Sequence, residues 1–156
     1  MNKKLLKNQK GLTLIELLAV IVILAIVAAI AVPAIGNIIE NSRYNAVKAD
    51  AINALNAAHL YYTDNQGGET NGDNGVGNTT NGITVAQLIA AKYLETGGKL
   101  EGVTGLSISK DNPKSINGTV TYSGSKKVNF NYSTITTISK DSNKGSGEGN
   151  YTIPKG

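Results

Sequence analysis

The run from Leu12 to Ile35, LTLIELLAVIVILAIVAAIAVPAI, constrains this chain more than any other stretch. As a helix its residues extend roughly 36 Å at about 1.5 Å per residue, enough to cross a hydrocarbon core of about 30 Å. The segment is apolar on every side, so each of its faces must be buried in lipid or against other helices. Inside that run stands one carboxylate, Glu16. A charge well inside a spanning helix costs on the order of 2.5–3.5 kcal/mol, although near an end it can reach the interface. The glutamate therefore asks for a reason.

Charge follows the same division. Of fifteen basic residues, Lys3, Lys4, Lys7 and Lys10 precede the apolar run, leaving eleven against eleven acidic ones. The formal charge of +4 therefore belongs to the leader, and the rest of the chain is neutral. A neutral body lacks the general phosphate attraction of a DNA-binding domain. Lysines flanking a membrane segment instead hold that end in the cytoplasm. There are no cysteines, which excludes a disulfide framework and a thiolate metal site.

Three readings of the segment compete. A secretory signal peptide fits the basic start and the Ala29-Ile30-Ala31 cleavage pattern, but the run is long for an h-region of about 7–15 residues. A simple single-span anchor explains length and lysines and leaves Glu16 without a purpose. The third reading comes from residue order. Lys10-Gly11-Leu12-Thr13-Leu14-Ile15-Glu16-Leu17 resembles the processing site of type IV prepilins: a basic leader ending in glycine, a hydrophobic first mature residue, and glutamate as the fifth. Pro33, twenty-second counting from Leu12, matches the proline common in these helices. The resemblance covers Lys10 to about Pro33. Leu12 stands where the family most often has Phe, an exchange of one bulky apolar residue for another.

The resemblance implies cleavage between Gly11 and Leu12 by a prepilin peptidase, with N-methylation of the new amino terminus at Leu12. That amine lies about 6 Å along the helix axis from Glu16. It further implies that Glu16 of an incoming subunit neutralises the Leu12 amine of a neighbour during assembly. Opposite charges attract more strongly in an apolar bundle than in water, and because pairing mainly offsets desolvation, its contribution is register. Implied partners are other pilin subunits in a homopolymer, the peptidase, an assembly ATPase with its membrane platform, and the membrane itself. The implied location is the cytoplasmic membrane, single-pass with the leader in the cytoplasm, and then an extracellular pilus. No cofactor, metal or catalytic residue is expected. Any surface or DNA ligand is left open.

Beyond the span, Pro33 and Gly36 both weaken a helix and predict a kink. Tyr44, Val47, Ala51, Leu55, Ala58 and Tyr62 then recur at helical spacing, so residues 36–64 read as an amphipathic continuation. Ala46, Ala49, Ala54 and Ala57 are expected on other faces. His59, the only histidine, has no ligand partner at useful spacing and reads as a partly exposed helix residue. The remainder, 65–156, reads as a globular head. Gly67 to Gly82 is rich in Asn-Gly pairs and predicts a surface loop, without the spacing of an EF-hand. Thr84-Val85-Ala86-Gln87 has the form of a capping box, flanked by Ile83 and Leu88 as a hydrophobic staple, and predicts a short helix over 85–94.

After Gly102 the period becomes two. Leu106 and Ile108, Val120 and Tyr122, then Val128, Phe130 and Tyr132 predict antiparallel strands, with a hairpin turn at Ser123 to Lys126. A further strand near Ile135 to Ile138 and a terminal one near Tyr151 to Ile153 are expected, with Asp141 to Gly149 mobile. Three glycosylation sequons, beginning at Asn78, Asn117 and Asn131, carry no inference. The expected fold is α+β: leader 1–11, membrane half of the helix 12–35, amphipathic half 36–64, and a head in which an antiparallel meander packs on the helix.

The leading function is a structural subunit, of major-pilin type, in a surface filament for adhesion, motility or DNA uptake. A pseudopilin of a type II secretion system would share its features. From other classes, an exported binding module would be released near Val32 by the ordinary signal peptidase. An anchored enzyme finds no nucleophile motif or acid–base pair.

Overall fold

The computed structural model describes residues 13–65 and 82–156, in two compact units, Met1–Gly36 and Asn37–Gly156. The expected processing site at Gly11 and Leu12 and nearly all of the Gly67–Gly82 loop lie outside the described residues. Helix α1, Leu14–Asp64, runs through both units, and its helical assignment is unbroken at Pro33 and Gly36.

In the first unit, no described side chain is buried, and Leu14, Ile21 and Ile30 are more than half exposed. Uniform apolarity without a polar face gives this stretch nothing to pack against within its own unit.

The second unit contains the core. Every member of the predicted stripe from Tyr44 to Tyr62 is buried. Ala54, Ala57 and Tyr61 are buried beside them, whereas Ala46 and Ala49 are exposed. The buried face is thus wider than the stripe. Ile83, Val85, Leu88, Leu100, Leu106, Ile108, Ile116, Val120, Tyr122, Val128, Phe130, Ile138 and Ile153 complete the cluster. Burying a Leu55 or Phe130 side chain of this kind stabilises by about 1.5–3 kcal/mol.

Helix α2 spans Val85–Ala90. Its capping box forms as expected: the Thr84 hydroxyl accepts from the Gln87 amide, and Gln87 Oε1 accepts from the Thr84 amide at 2.9 Å. Ile83 and Leu88 are fully buried at the staple positions. The helix ends four residues before the expected Leu94. Lys92 turns left-handed at φ +63°, and the amides of Tyr93 and Leu94 both return to the Leu88 carbonyl. That reversal lays the Tyr93 ring edge-on against Tyr61, with centroids 5.3 Å apart. A 3-10 turn at Gly98–Leu100 follows, its Lys99 amide donating to Asp50 of α1 at 2.8 Å.

Four strands form one sheet in the order β1 Ser107–Ile108, β2 Ile116–Ser123, β3 Lys126–Ser133 and β4 Tyr151–Ile153. The first three are antiparallel, with Ile108 opposite Ile116 and Val120 opposite Val128, and the hairpin turn falls where expected. Three expectations are corrected. Ile135–Lys140 is a helix, α3, and not a strand: Thr134 and Thr137 make a reciprocal cap, and Ile138 is buried one turn beyond the more exposed Ile135. Terminal β4 pairs parallel to β3, with Phe130 opposite Ile153. A parallel partner needs a crossover, which α3 and the loop behind it supply.

The third correction concerns Tyr132, which alternation would bury with Val128 and Phe130. It is half exposed, with φ +49°. The register slips between Gly118 opposite Phe130 and Ile116 opposite Ser133. An extra residue in β3 therefore turns Tyr132 outward and Ser133 inward.

Candidate functional site

The first described residues resolve part of the glutamate question. The Thr13 amide donates to Glu16 Oε2 at 2.8 Å, and the Thr13 hydroxyl donates to the same oxygen at 3.0 Å. In return the Glu16 amide donates to the Thr13 hydroxyl at 3.3 Å. This is a capping box opening α1. Its Thr-x-x-Glu spacing, Thr13 to Glu16, is written in the sequence. Both bonds from Thr13 use Oε2.

From Leu14 to Ile39 of α1, Glu16 is the only ionisable side chain. The helix is long and apolar enough to cross a membrane. Pro33 removes one amide from its ladder. A Cβ on Gly36 would meet nothing within 4 Å, so no close approach among the described residues requires glycine there.

The start of the head is gripped from two sides. On one, Lys126 Nζ of the β2–β3 hairpin meets Glu40 Oε2 at 2.6 Å, and Arg43 Nη1 donates to the Ser123 hydroxyl at 3.3 Å. The hydrogen bond to Glu40 raises the Lys126 pKa above the usual lysine range. On the other, the segment after α3 runs along α1. Asp141 Oδ2 accepts from the Tyr44 hydroxyl at 2.7 Å and from Lys48 Nζ at 3.1 Å. The Ser146 amide donates to Asn41 Oδ1 at 2.9 Å, and the Tyr122 hydroxyl donates to the Gly145 carbonyl at 2.9 Å. Expected to be mobile, residues 141–149 instead form a strap held by these bonds.

Tyr44 stands at the centre of this grip, its ring edge-on to both Tyr122 and Tyr151 with centroids 5.3 Å apart. Burial first, then the hydrogen bond to Asp141, raises its phenol pKa well above the ordinary value. Sequence reasoning assigned Tyr44 to the core and missed its hydroxyl partner, because Asp141 is distant in sequence and follows a helix that had been read as a strand.

His59 is exposed, beside a cleft of about 270 Å³ that Leu55, Lys114, Thr134 and Ile135 help to line. Among the described residues no group of three His, Cys, Asp or Glu side chains is placed to hold a metal ion.

Residues 6–32 match the family described as the prokaryotic N-terminal methylation motif. No curated protein and no solved structure matches the chain. The motif is that of a structural family, implies processing by a prepilin peptidase and polymerisation with other pilins, and fits anchoring in the membrane before assembly. With that motif opening a long helix whose second half packs on a mostly antiparallel four-stranded sheet, the chain carries the type IV pilin and prepilin-like signature on a pilin-like α+β architecture.

Proposed function

We propose that this chain is the repeating subunit of a type IV pilus, cut between Gly11 and Leu12, methylated at Leu12 and polymerised through residues 12–35. The observation that carries this reading is the match over residues 6–32 to the methylation motif, joined to a helix whose first half buries no described side chain in its own unit. Such a surface is covered by lipid in the stored subunit and by neighbouring helices in the filament. Because lipid is already apolar, hydrophobicity alone gives the filament little preference over the bilayer. Charge pairing and close packing must supply the difference.

Glu16 is suited to both parts of that task. One oxygen caps its own helix through Thr13, which fixes the side-chain rotamer, and the second is directed to the Leu12 amine of the neighbouring subunit. Gly36, which no contact among the described residues requires, and Pro33 together mark the place where the helix bends or unwinds on packing into the filament. An assembly ATPase with its membrane platform supplies the work of extraction. The filament serves the cell surface in adhesion, motility or DNA uptake.

The test is to shear surface filaments and sequence the amino terminus of their subunit. N-methyl-Leu12 is expected. A start near Val32, or a retained lysine leader, overturns the proposal. Glu16→Gln is expected to give a processed, membrane-inserted protein with filament yield reduced at least tenfold. Normal yield from that variant removes Glu16 from the assembly step while leaving the processing result to stand by itself.

A further inference from the structure

The sheet turns one face to the core, through Val120, Tyr122, Val128, Phe130 and Ile153. Side chains alternate along a strand, so the residues between these line the opposite face. Thr119, Asn129 and Thr152 stand in one row across β2, β3 and β4, and Thr121 pairs with Lys127 in the next. Toward the β1 edge Ser107 pairs with Asn117. Thr119, Thr121, Lys127 and Thr152 are exposed, which leaves these rows open among the described residues. With strands about 4.8 Å apart, the face is a flat grid of hydroxyls and amides.

An antiparallel sheet ordinarily meets water with a polar face, but this one departs from the ordinary pattern in composition and in backbone. Lys127 is the single charge among its paired positions. The flanking loops carry both signs, with Lys110, Asp111 and Lys114 before β2 and Glu148 and Lys155 around β4. Asparagine, which strands disfavour, stands at Asn117, Asn129 and Asn131. The Thr119 hydroxyl donates to Asn129 Oδ1 at 3.2 Å. The side chains of Asn117, Thr121, Asn131 and Thr152 make no hydrogen bond among the described residues. Across the bulge, Asn131 and Tyr132 together oppose Asn117. Tyr132 is held outward at φ +49°, a region that bulky residues rarely enter. Its hydroxyl and ring make no hydrogen bond or ring contact among the described residues that would offset the cost of that backbone.

Hydroxyl and amide side chains both donate and accept hydrogen bonds, as the hydroxyls of a sugar do, and the C–H face of a pyranose stacks on an aromatic ring. The alternatives fit less well. Nucleic acid calls for an array of cations along its phosphates, and Lys127 stands alone. A protein partner calls for a water-excluding core of aromatic and aliphatic groups, whereas the grid offers Tyr132 at its margin and no aliphatic side chain. The same lack leaves nothing to cover an acetyl methyl, and a single cation does not balance a row of uronates. We infer that the outer face of the sheet, with Tyr132 beside it, binds an extended, uncharged polysaccharide of unsubstituted hexoses. The inference goes beyond the filament reading and does not depend on it, since every residue it uses lies in the second unit.

The full-length chain, held in a detergent without sugar headgroups, is titrated with cellohexaose, mannohexaose and dextran, with chitohexaose and polygalacturonate alongside. Amide shifts are followed by nuclear magnetic resonance. Saturable shifts at Thr119, Thr121, Asn129 and Thr152 are expected with at least one of the three uncharged hexose probes. Tyr132→Asn removes the ring and keeps a residue that accepts the left-handed backbone. It is expected to weaken binding about tenfold, the scale of one lost aromatic stack. Thr121→Ala with Thr152→Ala leaves the core untouched and is expected to weaken it as well. Absence of saturable shifts with all three hexose probes overturns the inference, as does binding that survives both variants. Equal or tighter binding of chitohexaose or polygalacturonate overturns the stated sugar class. Self-association that Tyr132→Asn abolishes, without any carbohydrate shift, makes the face a contact between copies and overturns the inference too. None of these outcomes touches the N-methyl-Leu12 test, so the filament reading stands or falls separately.

Discussion

At the scale of single residues, the decisive groups are polar atoms placed where apolar ones would be the default. Asp141 is the clearest case in the head. Its side chain is 5% exposed and accepts from the Tyr44 hydroxyl and from Lys48, itself only 13% exposed. Removing one partner of such a pair leaves a largely desolvated charge behind, which costs more than the intact pair contributes. Asp141→Ala is therefore expected to destabilise the head by about 3 kcal/mol, measured as a lower urea midpoint with unchanged slope. A double variant that also replaces Lys48 by Met should recover much of the loss, since no unpaired ammonium is left. A single-variant effect equal to that of an exposed surface pair would show that water reaches Lys48 freely.

Elements are joined in this head by backbone approach as much as by side chains, and the strap over residues 141–149 depends on it. At Gly145 an added Cβ would meet the Glu40 carbonyl oxygen at 2.6 Å and run into the Tyr44 side chain. Both are backbone or root atoms of a helix and cannot swing aside. Gly145→Ala is expected to cost about 1–3 kcal/mol and to increase amide exchange at Ser146, whose N–H is held by Asn41. The sequence disclosed the helical stripe of α1, the capping box of α2 and the hairpin because each is written in residues close together. It hid the strap, since its glycines and serines resemble those of a free loop and the partners Asn41, Tyr44 and Tyr122 are far away in the chain. The misread of α3 has a related cause. Its run of Ile and Thr favours a strand locally, and the deciding signal was the pair Thr134 and Thr137, which cap the turn. In the N-terminal segment, order alone made Gly11, Leu12 and Glu16 stand out, yet the Thr13 cap became visible only once the helix start was placed.

For the whole molecule, the buried apolar side chains all belong to the second unit, starting at Tyr44, and none is contributed by the described residues before Asn37. The head is therefore expected to fold without the apolar half of α1. A chain beginning at Asn37 is expected to fold in water and to melt within a few degrees of the full-length chain in detergent. Its pH response follows from its tyrosines. Tyr44, Tyr62, Tyr93 and Tyr122 are all raised above the ordinary tyrosine range, burial being the first cause in each. A raised value means that the folded head holds the neutral phenol more firmly than the unfolded chain does. Below about pH 10, the ordinary tyrosine value, both states keep their protons and the contribution is complete. Above it the unfolded chain ionises first, so stability falls as the pH climbs toward the raised folded values. Melting followed by circular dichroism should be nearly level from neutral pH to about pH 9 with respect to these groups and should drop steeply beyond about pH 10. A truncated head that melts without cooperativity at neutral pH would place part of the folding information in the apolar half. One that melts cooperatively but holds its melting temperature through pH 11 would mean that the four phenols are as open to solvent as free tyrosine.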